Sequence, residues 1–312
     1  MAHLTRDKAE LFSTVFEGIC YGFSLLMFVI TLWVLLRDCS PKQINKPIVV
    51  IACLLFILST IHLAIDIDRL NLGFFVYRDT YPGGSIEWFA NPALPLWIVK
   101  ISVYSLQTAL GDGVVIYRCY QVWRSIWIAA FLSLLWIFVA VTAAGSIYTA
   151  SRAPADPTNH FAGILPDWIT TFIVSTWTCN LTATLLLAFK LWRVTRATRH
   201  HRIGPPNPLS SLLILVIDAG ALYSTALMIV LIFYVLHLDA AFLVLNAMVP
   251  IISISFHMIF LRIGLQSRLG SVDKQQGTVR TENDTRYSIA VTVTTESISD
   301  RPLSGSTLQG GL

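Results

Sequence analysis

Charged residues are scarce in this sequence. Asp, Glu, Lys and Arg make up 13% of its 312 residues, and hydrophobic residues make up 55%, whereas an ordinary soluble domain carries roughly 25% charged residues. Mean hydropathy is +0.66. A water-soluble fold of this composition could not cover its apolar surface, so we expect the lipid bilayer to be the main partner, and we expect no nucleic acid partner.

The sequence also lacks cysteines in any loop predicted to face the outside, and it lacks a recognisable cleavable signal peptide. Its first ten residues are polar, and the apolar run that follows is too long for a signal core. We therefore expect the first helix to act as the insertion signal and no extracellular disulfide to form. The cysteines lie in predicted helices or at their cytoplasmic edges: Cys20, Cys39, Cys53, Cys119 and Cys179.

Long apolar runs, in contrast, recur along the chain. About 20 residues are needed to cross the hydrocarbon of a bilayer, and each run is long enough. The sequence predicts an all-α fold, a seven-transmembrane-helix bundle over residues 11–263, preceded by a short extracytoplasmic segment, residues 1–10, and followed by a disordered cytoplasmic tail, residues 264–312. The helices are predicted at residues 11–36, 47–67, 96–123, 125–149, 168–192, 209–236 and 239–261.

The distribution of Lys and Arg predicts the orientation of this bundle. Most of those near helix ends lie between helices 1 and 2, 3 and 4, or 5 and 6, or after helix 7. Cytoplasmic loops carry such an excess, so we expect the N-terminus outside and the C-terminus in the cytoplasm. We expect a multi-pass protein of the plasma membrane rather than of an internal membrane.

The third predicted helix, residues 96–123, is the most polar. Residues seven or eleven apart share a helix face, so it presents two polar stripes. Both stripes need protein neighbours, because a charge at the bilayer centre costs about 2.5–3.5 kcal/mol even on lenient scales. We therefore predict that this helix is central. The stripes are Lys100, Gln107, Gly111 and Arg118 on one side and Ser105, Thr108 and Asp112 on the other.

A first candidate site is an outer cluster. Glu17 and Lys100 lie at similar depth, which leaves open an ion pair between them or a Glu17 that reaches water. His62 and Asp66 are one turn apart, but zinc needs three or four ligands, so we predict a hydrogen-bonded or ion-paired cluster with no metal and no cofactor. The loop of residues 68–95 either folds over it as a lid or dips its aromatics into the headgroups. The cluster consists of Glu17, His62, Asp66, Arg69 and Lys100.

A second candidate site lies deeper in the membrane. Asp112, Asp218 and His257 come from three helices at comparable distances from the cytoplasmic edge, and they are predicted to meet, either as plain interhelical hydrogen bonds or as a relay. Asn246, on the same face as His257, and Asn180, in the hydroxyl-rich fifth helix, complete this intramembrane polar cluster.

Two cytoplasmic segments are candidate partner sites. The basic loop of residues 190–202, from Lys190 to Arg202, could hold a cytoplasmic partner or anionic lipid, or serve only as a topological anchor. The Ser/Thr-rich tail is open to phosphorylation.

Several of these residues also resemble a known family. The chain is similar to a large uncharacterised family of multi-pass membrane proteins of mushroom-forming fungi (basidiomycetes), over about residues 11–263. The resemblance implies seven helices and a fungal origin, and it carries over no activity. It rests on Asn45-Lys46-Pro47, His62, Asp66, Arg69, Gly111-Asp112, Tyr117-Arg118-Cys119 and Trp123.

Three functions remain open at this point, and no ligand is indicated. A receptor-like sensor or signalling protein ranks first, a small-solute or proton-coupled transporter second, and an intramembrane zinc hydrolase third. The rhodopsin-like receptor pattern is absent, because Tyr117-Arg118-Cys119 stands where an acidic residue, Arg and Tyr are usual, and the last helix has no Lys for retinal. No catalytic motif is present, so we expect no enzyme.

Overall fold

The computed structural model describes residues 6–37, 46–152, 160–198, 208–236, 241, 243–262, 264 and 265. Within these residues every regular element is helical. The bounds are α1 (Arg6–Leu36), α2 (Lys46–Asn71), α3 (Gly84–Ala90), α4 (Pro95–Trp123), α5 (Ile126–Arg152), α6 (His160–Thr198), α7 (Pro208–Val235) and α8 (Leu243–Arg262), with a π-helical turn at Leu72–Val76.

Six of these helical segments are long and apolar enough to cross a membrane, which gives the chain the make-up of a multi-pass membrane protein. A seventh is counted if α3 and α4, which meet at a bend of 42°, form one span. The charged residues within α4 lower its hydropathy. The expected all-helical fold is confirmed, and it contains six or seven such segments.

Several predicted boundaries were wrong. The second predicted helix, residues 47–67, continues as α2 to Asn71 and then into the π-helical turn. The helix can continue because Asp66 and Arg69 both lie buried against other helices. The fifth, residues 168–192, is the longer α6 and contains Pro166. The last, predicted at residues 239–261, is described at Leu243–Arg262, and residues 239, 240 and 242 lie outside the described residues.

The predicted central helix is indeed central. α4 packs against α2, α5 and α6, and its Gln107 amide donates a hydrogen bond of 2.7 Å to the carbonyl of Val249 in α8. Lys100, Gln107, Thr108, Asp112 and Arg118 of α4 are buried, and Ser105 is half-buried. α8 also contacts α1, where the Thr31 hydroxyl donates to the carbonyl of His257.

Glycines allow three of these contacts to be close. A Cβ on Gly111 would lie 2.8 Å from the Phe256 ring, one on Gly145 would lie 2.3 Å from Trp168, and one on Gly220 would lie 2.3 Å from the Thr184 hydroxyl. Small residues at such positions let helix backbones approach, as is usual in membrane bundles.

The segment between α2 and α4 is more ordered than the predicted loop. Trp88 and Phe89 of α3 are each only 2% exposed, and α3 packs against α1 and the π-helical turn. Phe75, in contrast, is 83% exposed. Trp88 and Phe89 therefore pack against neighbouring elements and Phe75 points away from them, while the lid and the headgroup contact both stay predictions.

The described residues up to Gly264 form one compact unit. The predicted tail lies, apart from Gly264 and Leu265, outside the described residues. The predicted basic loop is described only as far as Thr198, where it continues α6.

Candidate functional site

A group of six ionisable side chains is buried where α1, α2 and α4 meet. None of the six is more than 4% exposed. Their spacing explains the grouping, because residues three, four or seven apart lie on one helix face. We refer to them as the charged cluster: Glu10, Glu17, His62, Asp66, Arg69 and Lys100.

Lys100 is the cation that ties α4 to the other two helices. Its ammonium lies 2.5 Å from Asp66 Oδ1 in α2 and 3.9 Å from Glu10 Oε2 in α1. Neither alternative left open for Glu17 is what the structure shows: the direct partner of Lys100 is Asp66, and Glu17 is buried and does not reach water. Arg69 lies 3.7 Å from the other carboxylate oxygen of Glu10.

The ring of Trp97 covers both cations of the charged cluster. The Arg69 guanidinium carbon is 4.8 Å from the ring centroid, and the Lys100 ammonium is 5.6 Å away. Cations over a Trp face are attracted by the electrons of the ring, and more strongly where water is excluded. Trp97 lies in the first turn of α4, so the same helix supplies the Lys100 cation and the ring that covers it.

Glu17 pairs with His62. The Nδ1 atom of His62 lies 2.7 Å from Glu17 Oε1 and 3.9 Å from Asp66 Oδ2. Three carboxylates and two permanent cations leave the charged cluster at a net charge of −1 when His62 is neutral. A buried site favours neutrality, so one proton shared by Glu17 and His62 would balance it.

The same corner could present metal ligands. One ligand atom from each of Glu17, His62 and Asp66 lies within 4.8 Å of the others, and three ligands with an open position is a zinc arrangement. Asp66, however, is already paired with the Lys100 ammonium. A divalent ion would also change the net charge of the charged cluster from −1 to +1. A proton fits this charge balance better, and the absence of a resident metal stays a prediction.

Glu10 is the member that sequence reasoning missed. It was assigned to the extracytoplasmic segment of residues 1–10, but α1 already begins at Arg6. The signal was present, because Glu10 lies seven residues before Glu17 and so on the same face. Its carbonyl also accepts hydrogen bonds from the hydroxyls of Ser13 and Thr14.

The second predicted cluster does not assemble as one site. Asn246 donates a 2.8 Å hydrogen bond to Ser13 in α1, next to the charged cluster. His257 is held by its own helix, with Nδ1 2.5 Å from the carbonyl of Ser253. Asn180 donates to the hydroxyl of Ser224 at 2.7 Å. Residue spacing predicts which polar side chains share a helix face. It does not predict which neighbouring helix that face packs against.

Asp218 is the clearest correction. Its side chain is exposed on the bundle surface instead of meeting Asp112. The buried face of α7 carries Ala219, Tyr223 and Leu227, and Gly220 brings this helix close to α6. That packing turns Asp218 outward, together with the exposed Thr225.

Asp112 is buried, as predicted, but among different neighbours. It is 2% exposed, and no described residue forms a salt bridge with it. The phenols of Tyr104 in α4 and Tyr223 in α7 lie within electrostatic range of its carboxyl group. The Thr108 hydroxyl lies beside both phenols.

A cleft lies between α4, α6, α7 and α8, where α4 contributes Val115, three residues after Asp112. Its empty space of about 320 Å³ includes narrow gaps and space open to the surroundings. The part wide enough for solvent holds only about one or two water molecules. Asn180 and Tyr223 are among its lining residues.

The chain matches no protein-family model and no curated protein.

Proposed function

We propose that this chain is a receptor-like sensor or signalling protein of the plasma membrane. In this proposal the bundle crosses the membrane seven times, with α3 and α4 as one span, the N-terminus outside and the C-terminus in the cytoplasm. We also propose that the resemblance to the fungal membrane-protein family reflects common descent.

One observation carries the proposal: α4 contributes to two separate polar regions. It supplies Lys100 to the charged cluster and, further along, Asp112 and Val115 beside or within the cleft. A signalling protein needs two distinct sites and an element whose position affects both. α4 meets this requirement because the charged cluster joins it to α1 and α2, whereas the cleft lies between it and α6, α7 and α8.

The charged cluster suits the sensing end. It joins α1, α2 and α4 through buried ion pairs, and α3 packs on α1 with the exposed Phe75 nearby. Buried ion pairs have two well-separated states, made and broken, and breaking one is costly. In the proposed orientation this end faces the outside, and residues 190–202 and the Ser/Thr-rich tail face a cytoplasmic partner.

Cells in which the gene is deleted provide the test. We expect the deletion to change a growth or transcriptional response to external conditions, and we expect the wild-type chain to restore it. Lys100→Gln should fail to restore it at equal surface level, whereas Lys8→Gln, at an exposed position, should succeed. An N-terminal tag that labels only after permeabilisation would contradict the orientation.

A proton-coupled transporter is the second candidate, and a specific observation favours it. Buried polar side chains continue along α4 from Lys100 through Gln107 and Thr108 to Asp112, a pattern that proton relays in membranes use. Proteoliposomes with an internal pH dye distinguish the two. Proton flux that depends on the protein and on added solute would favour transport and count against the sensor.

A further inference from the structure

Asp112 is a buried carboxyl group for which no described residue supplies a positive partner. Its side chain is 2% exposed, and its Oδ2 atom has no hydrogen-bond partner among the described residues. In the charged cluster, by contrast, each of Glu10 and Asp66 has a cation nearby. An uncompensated buried charge is strongly unfavourable, so a buried carboxylate needs a counterion or a proton.

Further buried oxygen atoms with few or no partners among the described residues lie on α4, α6 and α7. The amide oxygen of Asn180 has no hydrogen-bond partner among the described residues, and the hydroxyls of Thr108 and Tyr223 have none apart from the contacts that Thr108 makes with the phenols of Tyr104 and Tyr223. Tyr223 is within electrostatic range of Asp112, and the Thr108 hydroxyl is beside that phenol. Buried polar groups are normally satisfied, so several orphaned oxygens together indicate a missing ligand.

The chemistry of these groups selects the ligand. Carboxylate, hydroxyl and amide oxygens are the ligands of hard cations. A single carboxylate balances a single positive charge, whereas a divalent ion would leave an excess. Tyr223 and Asn180 also line the cleft, which provides an approach and room for about one or two waters to complete the coordination.

We propose that Asp112 is the anionic ligand of a binding site for a small monovalent cation such as Na⁺, completed by Thr108 and Tyr223 and reached through the cleft. The site is distinct from the charged cluster, and it does not depend on whether the protein senses or transports. Occupancy would hold α4 and α7 together, because its ligands come from both helices.

Thermal unfolding of the purified full-length protein in lipid nanodiscs tests the proposal. NaCl is compared with N-methylglucamine chloride at equal ionic strength. A ligand that binds only the folded state raises the melting temperature, here by roughly 2–4 °C at a few times the dissociation constant. Binding of radioactive ²²Na⁺ measures the same site directly and should saturate.

Two variants and a control make the test specific. Asp112→Asn keeps the shape, removes the charge, and should abolish both the Na⁺-dependent shift and ²²Na⁺ binding. Asp218→Asn is the same change at an exposed position and should leave both intact. Tyr223→Phe removes one ligand oxygen and should raise the Na⁺ concentration at half-saturation roughly fivefold to tenfold.

The contradicting outcomes are equally clear. Wild-type protein with no Na⁺-dependent shift and no saturable ²²Na⁺ binding would overturn the proposal and leave a protonated Asp112. Full retention of Na⁺ binding in Asp112→Asn would also overturn it. If Asp112→Asn does not fold, an unchanged half-saturation in Tyr223→Phe decides against the site.

Discussion

The ammonium of Lys100 in α4 lies 2.5 Å from a carboxylate oxygen of Asp66 in α2, and both side chains are almost fully buried. Their burial keeps water away from both charges, and the ring of Trp97 covers the Lys100 ammonium on one side. Each therefore depends on the other. Their interaction links the most polar helix of the bundle to the one that carries His62.

Removing Lys100 alone should destabilise the protein strongly. Lys100→Met leaves Asp66 buried without its main cation, a change that costs about 3–5 kcal/mol in comparable buried pairs. The double variant Lys100→Met/Asp66→Asn should recover more than half of this loss, because neither charge then remains unpaired. Equilibrium unfolding in mixed micelles with increasing denaturing detergent measures the difference.

Lys8 provides the matched control, since it is exposed in the same bundle. Lys8→Met should change the free energy of unfolding by less than about 0.5 kcal/mol. The loss of unfolding free energy in the double variant is compared with the sum of the losses in Lys100→Met and Asp66→Asn. If the two are equal, Lys100 and Asp66 are not coupled as their distance indicates.

Glu17 should tolerate loss of its charge but not loss of its hydrogen bond. Glu17→Gln removes the excess negative charge of the charged cluster and keeps an oxygen 2.7 Å from His62 Nδ1, so we expect a change within about 1 kcal/mol. Glu17→Ala leaves His62 without that partner and should cost about 1–3 kcal/mol more. Detergent unfolding again provides the measurement.

The exposed Glu87 of α3 allows a comparison, because no described residue forms a salt bridge with it. Glu87→Gln and Glu87→Ala should behave alike. If Glu17→Gln is as destabilising as Glu17→Ala, then an ionised Glu17 is required and the charge balance proposed for the cluster is wrong.

The sequence was most informative about the charged cluster and the central helix. His62, Asp66 and Arg69 follow helical spacing, and ionisable groups in an apolar helix must find protein partners, so their association was predictable. The carboxylate that pairs with Lys100 was not predictable, because the choice depends on the rotation of α1 about its axis. Glu10 was missed for a simpler reason. The apolar run begins after Glu10, whereas the helix begins before it, at Arg6.

The deeper cluster was predicted less well, for a physical reason. Polar spacing on α7 marks a face but not its direction, and the close approach at Gly220 turns Asp218 outward. Asn246 likewise faces Ser13 and not Asp112. Helix rotation in a membrane bundle is set by small residues and shape as much as by polarity, and spacing alone does not encode it.

Trp97 should matter for more than its apolar area. Trp97→Leu removes the ring over Arg69 and Lys100, and a desolvated cation–π contact is worth about 2 kcal/mol in addition to the lost packing. Trp127 is 83% exposed, so Trp127→Leu is the control and should have a small effect on unfolding. Equal losses in the two variants would argue that the ring contributes only bulk.

Gly111 and Gly113 provide the sharpest test of helix packing, because they lie two residues apart in α4 with opposite surroundings. A Cβ on Gly111 would come within 2.8 Å of the Phe256 ring, whereas a Cβ on Gly113 would meet nothing within 4 Å. Gly111→Ala should therefore cost about 1–3 kcal/mol through overpacking. Gly113→Ala should be neutral or gain up to about 1 kcal/mol, since Ala favours the helix. Adding Phe256→Leu to Gly111→Ala should restore part of the loss, and failure to do so would place the strain elsewhere than between α4 and α8.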